Sequence, residues 1–303
     1  MHRSSKALNR LFLFAAAFLF STGGAAIKAC SLTSWQVSGF RCGVAAVALY
    51  VMLPGARRGW TWRTWLIGAF YAATMILFVL SNRLTTSANA IFLQSTAPLY
   101  LLFLGPLVLK EKIRRVDVVV VAAVAAGVVL LLSGSEAVVT TAPRPGLGNI
   151  LGVATGAVWA LTLAGMRWMG KREKGTSGGS ESAAATAIAG NLIAFLVCLP
   201  MALPVTHGTV SDAAIVLYLG VFQIGLAYIL LTRSLREVPG LEAATLLLVE
   251  PVFNPLWSWV IHGERPSGSA LAGGALIVLA ALGGTWWQQS RSAKPVRKAD
   301  LQR

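Results

Sequence analysis

The sequence predicts an all-α polytopic membrane protein of ten transmembrane helices, arranged as two inverted repeats of five. Three observations predict it: an apolar composition, ten apolar stretches of spanning length, and a proline-containing pattern that recurs 153 residues later. The 303 residues are 56% hydrophobic and only 12% charged, with a mean hydropathy of +0.68. A soluble domain carries about 25% charged residues, so this chain has too few charges for a water-facing surface.

The charged residues cluster between apolar stretches of roughly 20 residues, the length that crosses a hydrocarbon core of ~30 Å. We predict spans at about 11–30, 35–53, 62–80, 88–109, 116–133, 147–169, 183–203, 212–232, 241–261 and 269–287. Connections between them are short, so consecutive helices should pack as antiparallel neighbours. The predicted domains are a first five-helix repeat at 1–142, a second at 143–290 and a basic tail at 291–303.

The first stretch follows Arg3, Lys6 and Arg10 and so resembles a secretory signal peptide. It is long enough to span the bilayer, and Lys28 spoils a lipoprotein-like cleavage signal before Cys30. We therefore expect this segment to remain in the protein as the first helix.

The basic residues indicate an orientation. By the predicted topology, 21 of the 26 Lys and Arg residues lie on the side of the two termini. The positive-inside rule makes that side cytoplasmic. We therefore expect a protein of the cell (inner) membrane with both termini in the cytoplasm. Seven tryptophans lie at predicted span ends, where the interface favours them: Trp35, Trp60, Trp62, Trp65, Trp168, Trp286 and Trp287. The net charge of +15 thus reflects orientation, and no basic face suggests nucleic-acid binding.

A repeat links the fourth and ninth stretches, "ANAIFLQSTAPLYLLFLGPLVLKEK" (88–112) and "LEAATLLLVEPVFNPLWSWVIHGER" (241–265). One shift of 153 residues pairs Ala90 with Ala243, Pro98 with Pro251, Glu111 with Glu264 and Lys112 with Arg265. A proline and a helix-end glutamate at one common shift are better explained by duplication than by chance.

The two halves also begin alike. "FSTGGAAIK" (20–28) matches "WALTLAGMR" (159–167), which places Lys28 opposite Arg167. Five spans per half is an odd number, so the second half enters the membrane from the opposite side, as in many secondary transporters. Matched interrupted helices are the best sequence pointer to a substrate site, and a helix-breaking proline leaves an upstream carbonyl without its donor.

These features resemble the drug/metabolite transporter superfamily, EamA type: the two five-span halves, the basic residue closing spans 1 and 6, "FRCGVAAVAL" on span 2, and "AP…KE" against "EP…GER". The resemblance covers nearly the whole chain and implies a secondary transporter. Members export amino acids, other metabolites or drugs. Closest in kind are YddG-type exporters of aromatic amino acids. We therefore expect export of small amphipathic metabolites, chiefly aromatic or large neutral amino acids, with hydrophobic cations or drugs as the alternative.

Glu250 lies near the midpoint of the ninth stretch. An ionised acid there costs roughly 2.5–3.5 kcal/mol on insertion scales, so it is either functional or neutral and hydrogen-bonded. Asn254 and Trp257 follow at i+4 and i+7 and so share its helical face. The face either contacts a substrate amine or a proton, or packs with a protonated Glu250 bonded to a carbonyl that proline has freed. The sequence leaves both open.

Further candidates for substrate binding are polar or aromatic side chains within other spans: Gln94, Thr96 and Tyr100 on the fourth, Trp159 and Thr162 on the sixth, and Gln223 and Tyr228 on the eighth. As a set, their aromatic members suit the walls of a site for a flat or apolar substrate. Singly, polar side chains between membrane helices often act only in packing, with about 0.6 kcal/mol each.

Other polar and small residues receive structural interpretations. Arg41 either snorkels outward or pairs internally. We expect structural or gating ion pairs at the ends of the fourth and ninth stretches, where Glu111 lies beside Lys112 and Glu264 lies beside Arg265. Glycine-rich runs such as "STGGAA" and "ALAGGALIVLAALGG" are typical of closely packed membrane helices.

The remaining classes of protein have little support. No His or carboxylate cluster has metal-ligand spacing, so we expect no metal and no cofactor. Cys30, Cys42 and Cys198 have no redox spacing and are expected to be buried small residues. A membrane-embedded lipid-modifying enzyme is a remote alternative, because no nucleophile has a base placed by a motif. A channel normally needs a polar pore lining, which this sequence lacks. We expect a monomer that binds lipid and a small-molecule substrate.

Overall fold

The structure is a computed structural model that describes residues 2–110, 113–134, 138–172, 178–234, 238, 243 and 246–292. These residues are predominantly helical, and within them β-structure is limited to one isolated bridge between Val139 and Ala142. The predicted all-α class is therefore confirmed over the described ranges.

The described helices follow the predicted stretches, and we number them in chain order. They are α1 (His2–Ser21 and Gly23–Ala29), α2 (Ser34–Met52), α3 (Trp62–Leu84), α4 (Ser87–Gln94, Ala97–Leu104 and the π-helical turn Gly105–Leu109), α5 (Arg115–Leu132), α6 (Pro145–Arg172), α7 (Gly178–Ala202), α8 (Val210–Leu217, the π-helical Tyr218–Leu226 and Ala227–Ser234), α9 (Val249–His262) and α10 (Gly268–Ser292).

Within the described ranges, seven helices are long and apolar enough to cross a membrane, judged by length and composition. They contain the segments Ala7–Ala29, Trp62–Leu84, Ser87–Val108, Arg115–Leu132, Pro145–Gly170, Glu181–Ala202 and Val210–Ser234. The described parts of α2, α9 and α10 do not meet the same criterion. The chain is thus a multi-pass membrane protein, and the count of ten spans stays a prediction.

The helix ends have local causes in the sequence. Before α2, the Thr33 hydroxyl accepts a hydrogen bond from the Gln36 backbone N–H at 3.2 Å, and the Gln36 side-chain oxygen accepts one from Thr33 N–H at 3.0 Å. This reciprocal capping box satisfies two donors that the helix itself leaves unpaired. The end of α9 also has a local cause. Gly263 follows its last residue and has a φ of 66°, a left-handed conformation that favours glycine.

Helix pairing follows the repeat. The most extensive contacts join α3 with α6, α5 with α10 and α2 with α7, and further contacts join α1 with α8, α1 with α9 and α4 with α6. Each helix has a counterpart in the other repeat, five helices along the chain. If every helix is replaced by its counterpart, the pair α3–α6 becomes α8–α1, and the pair α4–α6 becomes α9–α1. The same exchange leaves α2–α7 and α5–α10 unchanged. A two-repeat layout therefore explains which helices pack, while the boundary between residues 142 and 143 stays a prediction.

Hydrogen bonds join several helix ends on one side of the bundle. Asp212, at the start of α8, accepts bonds from the backbone N–H and the hydroxyl of Ser31, both at 2.6 Å. Arg83, near the end of α3, donates to the carbonyl oxygens of Cys30 at 2.7 Å and Leu32 at 2.6 Å. These bonds bring the end of α1, the end of α3 and the start of α8 to one side, as alternating helix directions require.

The structure shows where Arg41 and the three cysteines lie. Arg41 is 2% exposed, and its Nη2 donates to the Met75 carbonyl oxygen at 3.1 Å, so it points into the bundle instead of snorkelling outward. The three cysteines, Cys30, Cys42 and Cys198, are buried and free, as expected.

Candidate functional site

Both prolines of the repeat lie just after an interruption. The first part of α4 ends at Gln94 and the helix resumes at Ala97, with Pro98 in its new first turn. A turn at Leu248 precedes α9, with Pro251 three residues on. Proline cannot donate to the carbonyl four residues upstream, which accounts for a break at each point. Ser95 and Leu248 are separated by the same 153 residues as the two prolines, so the predicted pair of interrupted helices is confirmed.

A third interruption lies in α1, where a turn at Thr22 separates the two parts of the helix. Its hydroxyls bond to neighbouring helices. The Thr22 Oγ1 lies 2.9 Å from the Tyr218 hydroxyl on α8, and Trp257 Nε1 on α9 donates to Ser21 Oγ at 3.0 Å. We call residues 21–24 the α1 break. The sequence interpretation missed this feature, because "STGG" was taken only as a packing motif.

Two predicted site residues border the α1 break. Asn254 on α9 lies so close to Gly24 that a methyl group there would come within 2.5 Å of its Oδ1. Gln223 on α8 lies against Gly23 and donates from Nε2 to the Phe20 carbonyl oxygen at 3.3 Å. Glycine at both positions lets α1 approach side chains on two other helices.

The amides at the α1 break are incompletely hydrogen-bonded. Within the described residues, neither Oδ1 nor Nδ2 of Asn254 has a partner, and Gln223 Oε1 has none either. Asn254 is 0% exposed and Gln223 is 7% exposed. Gln223 lies in the π-helical segment of α8, a local distortion that is frequent at functional sites. Buried polar groups normally find partners, so these two amides have hydrogen-bonding capacity to offer a ligand.

An aromatic cluster adjoins the same part of α1. The Tyr228 ring meets those of Phe20 and Tyr71 edge to face, with centroids 6.2 and 6.1 Å apart. Trp159 on α6 packs, half-buried, against the same cluster. Two predicted site residues, Trp159 and Tyr228, thus belong to one hydrophobic cluster, which also includes Phe20 and Tyr71, which the sequence interpretation did not select.

The candidates on α4 lie toward α6. Tyr100 donates from its hydroxyl to the Val153 carbonyl oxygen at 3.2 Å, and Thr96 bonds the Leu93 carbonyl oxygen of its own helix at 2.6 Å. Gln94, at the end of the first part of α4, is half-buried. On α6, the Thr162 hydroxyl donates to the Val158 carbonyl oxygen one turn earlier at 3.0 Å. Both threonines thus satisfy their hydroxyls locally, which favours packing roles for them.

On α9, Asn254 and Trp257 both face α1, as their spacing predicts. Trp257 lies 5.4 Å from the Phe18 ring, centroid to centroid. Glu250 is half-buried in the first turn of α9, directly after the interruption. The N-terminus of a helix carries a partial positive charge that favours a carboxylate. The break therefore offsets part of the cost of an ionised acid at this depth.

A buried ion pair joins the ends of α1 and α9. Lys28 Nζ lies 2.9 Å from Glu264 Oε1, and the two side chains are 3% and 2% exposed. The sequence analysis expected a structural or gating ion pair at Glu264, which lies beside Arg265. Glu264 does form an ion pair, but with Lys28 of α1, because Gly263 turns the chain at the end of α9, and Arg265 is exposed. Glu111 and Lys112, the other predicted pair, lie outside the described residues.

Metal-ligating geometry does not occur in the part of the chain that the structure describes. There, no group of three or more His, Cys, Asp or Glu side chains is placed to hold a metal ion. The chemistry at the α1 break comes from amides, hydroxyls and aromatic rings. Such groups bind a ligand by hydrogen bonding and stacking.

Interrupted helices and incompletely bonded buried amides in a multi-pass helical bundle are typical of membrane transporters. The sequence model of the EamA-like transporter family matches residues 9–133 and 146–285, once for each half. The chain belongs to the EamA-like transporter family. Its members are transporters of the drug/metabolite type rather than enzymes, so a small-molecule substrate and a lipid environment follow.

Comparison with solved structures supports the fold. Seventeen chains of solved structures match. One of them, described only as a crystal structure of a protein, has a TM-score of 0.60 at 19% identity, covering 95% of this chain and 99% of the other. At that identity the likeness shows the shared fold alone. No curated protein matched the sequence.

Proposed function

We propose that the protein exports small amphipathic metabolites, with aromatic or large neutral amino acids favoured, across the inner membrane by alternating access. The observation that carries this proposal is the α1 break, where Asn254 and Gln223 have unsatisfied amide atoms. Phe20, just before the break, meets the Tyr228 ring, and Trp159 packs against the hydrophobic cluster that contains Tyr228. Amides recognise the polar part of an amino acid, and aromatic rings suit a flat, apolar side chain.

Glu250 supplies the charge that an amino acid substrate needs. A carboxylate attracts the substrate ammonium group, and ionisable residues within membrane helices are functional candidates by default. The interruption before α9 lets this carboxylate remain ionised when an ammonium group approaches. The same arrangement also suits a hydrophobic cation, whose charge would meet Glu250 and whose rings would meet Phe253 and Trp257.

The test is counterflow in proteoliposomes, with a panel of amino acids and hydrophobic cations offered to the purified protein. We expect aromatic amino acids to exchange fastest. Exchange of hydrophobic cations alone would replace the proposed substrate class, and chemical conversion of a substrate without movement would contradict transport. Trp159→Ala should change the kinetics for every transported substrate, and unchanged kinetics would remove Trp159 from the site.

A further inference from the structure

A row of polar side chains follows one face of α9 opposite the α1 break. Glu250, Asn254 and Ser258 are spaced four residues apart, so they lie on successive turns of the same face. Asn254 lies against Gly24, so this face is turned toward α1. Ser258 is 1% exposed, and its Oγ has no hydrogen-bond partner among the described residues. It therefore shares the incomplete hydrogen bonding of Asn254, although the sequence interpretation did not select it.

The hydroxyl groups of the α1 break already act as donors. Ser21 Oγ donates to the Phe18 carbonyl oxygen at 2.6 Å, and Thr22 Oγ1 donates to the Leu19 carbonyl oxygen at 2.7 Å. A hydroxyl has one proton to donate, so neither group can donate to a ligand as well. The incompletely bonded groups that border the break belong instead to α8 and α9.

These incompletely bonded groups are mainly acceptors. Gln223 Nε2 donates to the Phe20 carbonyl oxygen at 3.3 Å, which fixes the orientation of the amide. Its Oε1 is therefore an acceptor, and it is unpaired within the described ranges. Asn254 adds the acceptor Oδ1 and the donor Nδ2, both unpaired in the same ranges, and Ser258 Oγ can accept as well as donate.

Two glycines bring these side chains to one short stretch of α1. Gln223 lies against Gly23, and Asn254 lies against Gly24. The glycines are consecutive residues, so their Cα atoms are about 3.8 Å apart. Ser258 is one turn beyond Asn254, a spacing at which side chains on a helix are neighbours. Acceptors from two helices therefore border the same part of the α1 break.

The acceptors suit a ligand group that donates hydrogen bonds and has a positive charge. A primary ammonium group has three N–H donors and no acceptor. Glu250, one turn before Asn254, adds a carboxylate on the same face. A carboxylate on the ligand would instead meet acceptors and the charge of Glu250. Lys28, the basic residue closest to the break along α1, is already bound to Glu264 and to two backbone carbonyl oxygens.

Aromatic rings lie beside the same stretch of α1. Phe20 directly precedes the break and meets the Tyr228 ring edge to face. Trp257 bonds to Ser21 within the break, and its ring meets that of Phe18. Rings of this kind suit an aromatic or apolar body attached to the ammonium group.

We propose that the α1 break recognises a primary ammonium group, with Ser258 as a contact beside Asn254, and that its ligands include aromatic primary amines without a carboxylate. Ammonium recognition rests on the proposed function, because it uses the same site, and it narrows the substrate class. Aromatic amino acids meet the requirement through their ammonium group. Quaternary ammonium compounds do not meet it, because they have a positive charge but no N–H to donate.

The test compares ligands that share a phenyl ring and differ in their polar group. Phenethylamine, L-phenylalanine, 3-phenylpropanoate and N,N,N-trimethylphenethylammonium are each titrated into the purified protein in detergent, and binding is measured by calorimetry. We expect phenethylamine and phenylalanine to bind. The other two compounds should bind at least about tenfold more weakly, which corresponds to ~1.4 kcal/mol. The proposal is overturned if phenethylamine does not bind, or if 3-phenylpropanoate or the trimethyl compound binds as tightly.

Ser258→Ala tests the new contact. It should weaken the binding of phenethylamine about tenfold and leave the affinity for the trimethyl compound unchanged, since that compound cannot donate to the hydroxyl. Ser234→Ala is the matched control, because the buried Ser234 Oγ donates to the Leu230 carbonyl oxygen on α8 at 2.7 Å. It should alter neither affinity. Unchanged binding of phenethylamine to a folded Ser258→Ala protein contradicts the proposal, and if that variant is poorly folded, the ligand series on the wild-type protein decides.

Binding in detergent needs no transport, which separates this test from that of the proposed function. Binding of phenethylamine with the expected selectivity, without exchange of any compound in proteoliposomes, would support ammonium recognition and reject the proposed export. Exchange of phenylalanine without binding of phenethylamine would support the proposed function and reject ammonium recognition.

Discussion

Asn254 is fully buried, yet its Oδ1 and Nδ2 have no hydrogen-bond partner among the described residues. Leaving a buried polar group unpaired costs about 1–3 kcal/mol. A polar residue that acts only in packing is expected to satisfy itself, as Thr162 does through the Val158 carbonyl oxygen. We therefore expect Asn254, among the predicted site residues, to contact a ligand.

Replacing Asn254 with Leu should separate stability from function. The change removes an unpaired amide at similar volume, so thermal unfolding of the purified protein in detergent should occur at an unchanged or higher temperature. Counterflow should slow by at least about tenfold, the effect of ~1.4 kcal/mol of lost interaction. Thr162→Val is the matched control and should change neither measurement appreciably. A destabilised Asn254→Leu protein that still transports at the normal rate would make Asn254 a packing residue.

Glu250→Gln keeps the shape and hydrogen bonding of the side chain while removing its titratable proton. We expect normal expression, because a neutral side chain is easier to insert, but transport about tenfold slower or worse and less dependent on pH. Glu181→Gln, in the first turn of α7, is the matched control. If the Glu250→Gln variant transports with the wild-type rate and pH dependence, then Glu250 has only a structural role.

Residue spacing predicted part of the site. The i, i+4, i+7 pattern correctly placed Asn254 and Trp257 on one face of α9. It could not supply the partner of Glu264, because Lys28 is 236 residues away and a salt bridge leaves no local signature. Ser21 and Tyr218 were also missed, since a hydroxyl in a glycine-rich or apolar run is equally typical of packing.

At the scale of the element, interruptions in α4 and α9 could be predicted because proline has a definite effect on the backbone. Neither the turn at Thr22 in α1 nor the π-helical segment of α8 contains a proline. These distortions arise where α1, α8 and α9 meet through side chains such as Gln223 and Asn254. They depend on tertiary packing, so the local sequence did not reveal them.

Close helix packing makes its own prediction on α10. A methyl group on Gly273 would collide with backbone atoms of α5, the Gly127 carbonyl oxygen and the Leu131 N–H, whereas one on Gly283 would meet nothing within 4 Å. Gly273→Ala should therefore force α5 and α10 apart and cost roughly 1–3 kcal/mol, as overpacking does. Gly283→Ala on the same helix should be neutral or slightly stabilising. Thermal unfolding of the two variants in detergent gives the comparison, and equal melting temperatures would contradict the packing account.

For the whole molecule, composition and periodicity predicted the all-helical membrane class, and the repeat predicted two matching halves. The family match over 9–133 and 146–285 supports that layout. Symmetry also explains why α3–α6 and α1–α8 both pack. Sequence symmetry could not predict that Lys28 and Glu264 form a buried ion pair, which only the structure reveals.

The orientation of the whole bundle is the remaining prediction, and it follows from the basic loops. Arg58 lies in the α2–α3 connection on the arginine-rich side, and Gly208 lies between α7 and α8 on the other. In a cysteine-free background, Gly208→Cys should react with an impermeant maleimide added outside intact cells. Arg58→Cys and Glu173→Cys, the latter outside the described residues, should react only after the membrane is permeabilised. Labelling of Arg58→Cys from outside, or protection of Gly208→Cys, would reverse the orientation.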